Sequence, residues 1–284
     1  QVCFDCDEGA YTPDDWRRVL WACELPMATA EQLYKYHLHA FARHAYPNLK
    51  VMLLGQGSDE FLGGYMEKFL PRRDVWRDED WDALGREIRA RETRRLARAS
   101  GIAITNTELF DRGVLDPRFL AHTAGCRPDR TTWELYAGAC RRNLDYHLWH
   151  EDRTAAAHGI ENRVPFIDYR VVEFVASIPE RHHSALFPDK RILRRAASGL
   201  VPPRIVERPK GYFFGKGQHH TFRAMHELLT GRGGSLVEQA IAGSERSGGP
   251  LDPDGFRRYA ANVGSDGTYA GLPQLLLLAN MGIL

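Results

Sequence analysis

Apolar side chains recur along much of the chain at three- and four-residue intervals, the period of a helix with one face turned to a core. Trp16, Val19, Leu20 and Cys23 follow this spacing behind Thr12-Pro13-Asp14-Asp15. That run reads as an N-cap, a proline at the first helical position and acids in the first turn. Thr29-Ala30-Glu31-Gln32 has the form of a capping box, and predicts a helix with Leu33, Tyr36, His37, Ala40 and Phe41 on one face, broken at Pro47-Asn48. Trp133, Ala137, Cys140, Leu144 and Leu148 set out a further helix. Val171, Val172, Phe174, Val175 and Ile178 predict a buried one, ended by Pro179.

Strand signals are scarce. Val2 to Asp5 reads as the end of a buried strand, and Lys50-Val51-Met52-Leu53-Leu54 as a short strand covered on both faces, because its apolar run does not alternate. The second run leads straight into Gly55-Gln56-Gly57-Ser58-Asp59-Glu60 and then a helical pattern. Residues 243–255, rich in Gly, Ser, Pro and Asp, predict an exposed loop. There is no internal repeat. The pattern is that of an α/β domain dominated by helices.

Composition narrows the function classes. With 284 residues and 43% hydrophobic positions the chain can bury a substantial core, as one large domain or one and a half. Lys and Arg total 38 against 37 Asp and Glu, so no overall field favours nucleic acid or an anionic membrane. No apolar run reaches the roughly 20 residues that span a bilayer. Six arginines between Arg86 and Arg98 could form an RNA-binding face, but interspersed Glu87 and Glu92 point to a solvated helix. The five cysteines have no regular spacing beyond Cys3-x-x-Cys6, which fits reduced thiols in a cytoplasmic protein better than a metal or disulfide framework. Gln1, with neither Met nor a signal pattern, is not expected to be the native start.

Three stretches carry candidate chemistry. In Gly55 to Tyr65 the glycines admit close backbone approach, and the N–H groups opening the following helix form an anion site. Asp59 beside bound phosphates would require a metal between them, so the loop points to nucleotide phosphate with Mg2+; an ordinary strand-to-helix turn is the alternative. The second stretch, Glu151 to Asp168, crowds acids and arginines among apolar residues and predicts either buried ion pairs behind a site or a charged helix end. In the third, Pro209 and Gly211 flank Lys210, an arrangement suited to gripping an anion.

Taken in order, GQGSDEFLGGY, HEDRTAAAHGIENRVPFIDYRVVEFVASIP and DKRILRRAASGLVPPRIVERPKGYFF resemble the synthetase domain of the asparagine synthetase family. Glu24-Leu25-Pro26 resembles its Asp-Glu-Pro element, with Cys23 where Asp is usual. The resemblance covers roughly residues 10 to 215 and implies a small, mainly parallel sheet of the adenine-nucleotide alpha-hydrolase (PP-loop ATPase) type with many added helices, one synthetase domain over residues 1–284. It implies that ATP adenylates a substrate carboxylate, releasing pyrophosphate, and that ammonia from a glutaminase domain or partner then displaces AMP to give an amide. Under it, Asp59 holds Mg2+ against the pyrophosphate and Lys210 stabilises the reacting phosphorus. Leu54 and Gly55 contact the adenosine, Val2 lines the adenine pocket, and Gly57 and Ser58 shape the loop. Asp152, Arg153, Glu161, Arg163 and Asp168 form the scaffold behind. A small-molecule or peptide carboxylate is the expected partner, with no nucleic acid and no membrane; a homodimer is one permitted state.

Two departures qualify the resemblance. Gln56 stands where asparagine-forming members usually carry Glu, and an amide cannot accept the amine's proton. The family's Ser-Gly-Gly-x-Asp-Ser pyrophosphate loop is expected ahead of residue 1. Ser247-Gly248-Gly249-Pro250 is a decoy, having no strand before it and a proline without an N–H. Alternatives to asparagine formation are amidation of a sugar or peptide acid, ring closure of the β-lactam or lasso-peptide kind, and a non-catalytic nucleotide-binding partner protein.

Overall fold

The computed structural model describes residues 11–26, 31–98, 130–210, 218–231 and 236–284. In chain order these form α1 (Pro13–Cys23), α2 (Glu31–Ala45), β1 (Val51–Leu53), α3 (Ser58–Leu62), α4 (Asp78–Arg98), α5 (Thr132–Ala156), β2 (Glu161–Arg163), α6 (Tyr169–Ala176), α7 (His183–Leu186), α8 (Arg191–Ala197), α9 (Pro203–Val206), α10 (Gln218–Thr230), α11 (Leu236–Ser247), α12 (Pro253–Asn262) and α13 (Leu272–Ile283). The protein is a helix-rich α/β structure with a small parallel sheet, in which Val51, Met52 and Leu53 pair with Glu161, Asn162 and Arg163. No helix among the described residues is long and apolar enough to cross a membrane.

The chain divides into two compact units, residues 1–53, 148–163 and 212–284 in the first and 54–147 and 164–211 in the second. In the first unit α1 starts as its sequence dictates. The Thr12 hydroxyl accepts from the Asp15 amide, and the Asp15 carboxylate accepts from the Thr12 amide, a reciprocal cap that satisfies two orphan donors. Trp16, Val19, Leu20 and Cys23 are all buried, against a core that includes Leu33, Met225, Leu229, Leu236 and Leu275. The Trp16 indole donates to Asn280 at 2.7 Å, so the ring's polar edge is also satisfied. In the second unit Trp81, Leu84, Leu135, Tyr136 and Phe187 form the centre of a separate core.

Four expectations need correction. Strand β1 is not covered on both faces: Leu53 is 71% exposed. Among the described residues it pairs with β2 alone, and a ribbon of three pairs buries nothing unless another layer covers it. Helix α6 buries only Val175, and leaves Phe174 63% exposed, so its apolar face is not a core face among the described residues. Of the stripe predicted on helix α2 only Leu33 is fully buried, with Tyr36, His37, Ala40 and Phe41 half-buried, and the helix also buries Gln32, Lys35 and His39, because polar partners from α5 lie against it. Residues 243–255 are mostly helical, in the end of α11 and the start of α12, where Asp252 caps the Gly255 amide at 2.6 Å. The expected strand at Val2 to Asp5 and the Thr29 cap lie outside the described residues. Burial pushes the Cys23 and Cys140 thiols up to about 12, so both stay protonated.

The polar partners of α2 form one buried cluster. Lys35 Nζ bonds Glu151, His39 Nε2 lies 3.8 Å from the Glu151 carboxylate, and the Asn162 amide of β2 donates to the Glu151 carbonyl at 2.9 Å. Burial, then the charges of Lys35 and His158, lower His39 to about 4. An unfolded histidine takes a proton near 6.5, which the folded one refuses until about 4. His39 therefore makes stability fall as pH drops through that window, by up to about 1.4 kcal/mol per unit. Denaturant melts between pH 7 and 4.5 should show this slope, and His39→Gln should flatten it; an equal slope in both proteins would refute the assignment.

Candidate functional site

The second unit holds the candidate site, built on the turn that opens α3. Gly57 has φ +92°, in the left-handed region, and a Cβ there would lie 2.3 Å from the Ile167 side chain. Glycine is demanded on both counts. Glu60, buried, accepts from the Gly57 amide at 3.0 Å and fastens the turn to the first helical residues. Burial and the neighbouring Asp59 charge raise its carboxyl above the usual range. Ser58 and Asp59 start the helix, half-buried.

Asp59 receives two cations from distant segments. Lys190 Nζ reaches Oδ1 at 2.5 Å, and Lys210 Nζ reaches Oδ2 at 2.5 Å. The three side chains are 17%, 18% and 29% exposed, so the cluster is neither open water nor a sealed core. Burial alone would raise the Asp59 carboxyl. The two lysine charges and their hydrogen bonds outweigh it and hold the group below its ordinary value. Two ammonium groups on one carboxylate leave a net positive centre, which suits a polyanion.

The backbone that delivers the lysines is held under strain. Asp189 and Lys190 both take left-handed φ, +49° and +58°, which costs about 1–2 kcal/mol for each residue with a side chain. Arg194 secures the bend: its guanidinium donates to the Asp189 carbonyl at 2.8 Å and pairs with the Asp189 carboxylate at 2.9 Å. The same guanidinium donates to the Val206 carbonyl, and to the Arg208 carbonyl at 2.9 Å, two residues before Lys210. One fork thus ties together the two loops that carry the lysines, as its planar array of donors permits.

Sequence reasoning had placed Asp59 and Lys210 on one polyanion, and the structure brings them into contact. Leu54 and Gly55 lie just ahead of the turn, Gly55 exposed and with room beside its Cα. Val2 lies outside the described residues. Gln56 sits half-buried in the turn. The sequence does not single out Lys190 and Arg194: both lie within DKRILRR, but nothing in its spacing marks the left-handed bend that aims Lys190 inward. The acids and arginines of the second stretch are mainly at the surface. Arg163 pairs with Glu161 and Arg170 with Asp168 in exposed bridges, while Asp168 also caps α6. Arg89 and Arg91 of α4 donate to the Arg130, Lys68 and Phe69 carbonyls. Ser247 ends α11, and among the described residues the element before that helix is α10, not a strand.

The model of the family described as asparagine synthase matches residues 5–262. The chain belongs to this family. It is 36% identical over 275 residues to asparagine synthetase (glutamine-hydrolyzing) 2 of Bacillus subtilis (strain 168), covering 96% of this chain and 36% of that protein. Asparagine synthetase (glutamine-hydrolyzing) 1 of the same organism is 24% identical over 226 residues, 68% of this chain and 34% of the relative. The human asparagine synthetase (glutamine-hydrolyzing) is 43% identical over a stretch of 65 residues, 22% of this chain and 12% of that protein. The chain spans about a third of the length of the two Bacillus relatives. No solved structure matches.

Gly64 closes the site from the far end of α3, where an added Cβ would lie 2.0 Å from Asp59 Oδ1 and 2.8 Å from Asp59 Cα. Gly64→Ala should push the carboxylate off its lysines and destabilise the protein by about 1–3 kcal/mol. Gly138→Ala, on an exposed helix position with nothing within 4 Å, should instead stabilise slightly. Thermal melts of the two variants should shift in opposite directions.

Proposed function

We propose that residues 1–284 form the ATP-dependent synthetase domain of an asparagine-synthetase-like enzyme, with a nucleotide-binding fold of the PP-loop type. The carrying observation is that Lys190 and Lys210, from separate loops, meet on the Asp59 carboxylate directly behind a glycine turn. Family membership and the glutamine-hydrolyzing asparagine synthetases among the relatives support the same reading.

The chemistry follows from charge. A substrate carboxylate oxygen attacks the α-phosphorus of ATP, a P–O bond forms, and the bond to pyrophosphate breaks. Pyrophosphate carries high negative charge as it leaves, and fixed ammonium groups stabilise that charge where water would have to reorganise. In this reading Lys190 and Lys210 turn from Asp59 to phosphate oxygens when ATP enters. The donor type fits a divalent cation: Asp59 supplies a hard oxygen, and once the two lysines have turned to the phosphates it would hold the Mg2+ accompanying the triphosphate. That ion would neutralise phosphate charge. Leu54 and Gly55 offer backbone groups to the adenosine, and Gly57 and Ser58 offer the turn.

Nitrogen then attacks the activated acyl carbon, a C–N bond forms, the C–O bond to AMP breaks, and the nitrogen gives up one proton to the departing phosphate or to water. Gln56 is an amide and takes no proton, so the amine enters uncharged, as ammonia freed from glutamine by a glutaminase domain or partner would. A small-molecule or peptide acid is the acceptor. A cytoplasmic setting agrees with the buried, protonated thiols.

The test is exchange of labelled pyrophosphate into ATP, dependent on an added carboxylic acid. Asp59→Asn and Lys210→Ala should each cut it about 100-fold or more, on the order of 3 kcal/mol of transition-state stabilisation, while both variants still melt cooperatively, Asp59→Asn at a lower temperature because it leaves two ammonium groups facing each other. Near-normal exchange in either variant would remove the assignment.

A further inference from the structure

The Asp59 carboxylate is only as well placed as the backbone that carries it. Its carbonyl oxygen accepts from the Gly64 amide at 2.9 Å and from the Tyr136 hydroxyl at 2.6 Å. The same hydroxyl oxygen accepts from the Tyr65 amide at 2.8 Å. One phenol thus uses its proton on Asp59 and a lone pair on Tyr65, closing the segment between them into a loop pinned at both ends. The Tyr65 ring in turn lies 4.8 Å from the Lys210 ammonium, within cation–π range.

Tyr136 is built for this. It is wholly buried in the core of the second unit, on α5, with Trp81 5.8 Å and Phe69 6.1 Å from its ring. Burial raises its phenol well above the ordinary value, so the hydroxyl stays neutral and keeps the proton it donates. Phenylalanine would pack equally well. Only the oxygen distinguishes the two residues here, and both of these hydrogen bonds run to backbone of the site.

We propose that Tyr136 is a positioning residue that fixes the spacing between the Asp59 carboxylate and the Lys210 ammonium, by anchoring the Asp59 backbone and the Tyr65 platform to one buried oxygen. It touches no substrate. Its bearing on turnover rests on the polyphosphate reading of the site; its effect on the Asp59–lysine pairing does not.

Tyr136→Phe tests this beside Trp81→Phe, a packing change against the same ring. Phe keeps the ring and removes one oxygen, so the chain should fold, which thermal melting checks. The Asp59 carboxyl is titrated by 13C NMR, and inorganic pyrophosphate with Mg2+ is titrated by calorimetry. In Tyr136→Phe the Asp59 midpoint should move up, because the lysines no longer sit squarely on it. Affinity for magnesium pyrophosphate should fall about 10-fold, the scale of one buried hydrogen-bond anchor. Trp81→Phe should lower the melting temperature while moving neither. An unmoved Asp59 midpoint in Tyr136→Phe, or an equal movement in Trp81→Phe, overturns the inference whether or not pyrophosphate binds. Failure of the full-length protein to bind pyrophosphate would instead overturn the reading of the site, and the NMR titration would still decide on Tyr136.

Discussion

Two ammonium groups on one half-buried carboxylate organise the second unit. Lys190 and Lys210 neutralise Asp59 twice over, and the acid between them relieves the repulsion of two such close cations. Surface pairs of this kind contribute little, because water competes for both partners. Here each side chain is less than a third exposed, so competition is weakened without being abolished. The arrangement is strong enough to be specific and open enough to be exchanged for a ligand of greater negative charge.

Much of the surrounding architecture serves that contact. The left-handed bend at Asp189 and Lys190 is unfavourable by itself, and Arg194 holds it by both the backbone and the side chain of Asp189. The same arginine grips the loop leading to Lys210. Gly57 and Gly64 stand where any side chain would strike Ile167 or Asp59 itself. Strain of this sort persists where neighbours over-determine a conformation, and it gathers at functional sites.

The first unit answers to a different constraint. A lysine, a glutamate and a histidine are buried between α2 and α5 and are tolerated because each lies against another polar group. Asn162, on β2, joins that cluster through the Glu151 carbonyl, so a strand with little apolar cover is attached by polar contacts.

The sequence by itself determined the local elements whose cause is local. Thr12 with Pro13 and Asp15 had to start a helix, because the reciprocal cap needs only residues three apart. The turn at Gly57 followed from glycine chemistry, and the order of the three motifs brought Asp59 and Lys210 to one site through family resemblance. Burial was less legible. The apolar runs at Leu53 and Phe174 looked like core, yet their cover depends on which layers meet them, and periodicity does not record that. Lys190, Arg194 and Tyr136 were invisible for the same reason. Their roles lie in contacts across 131, 14 and 77 positions of chain, which only the tertiary structure decides.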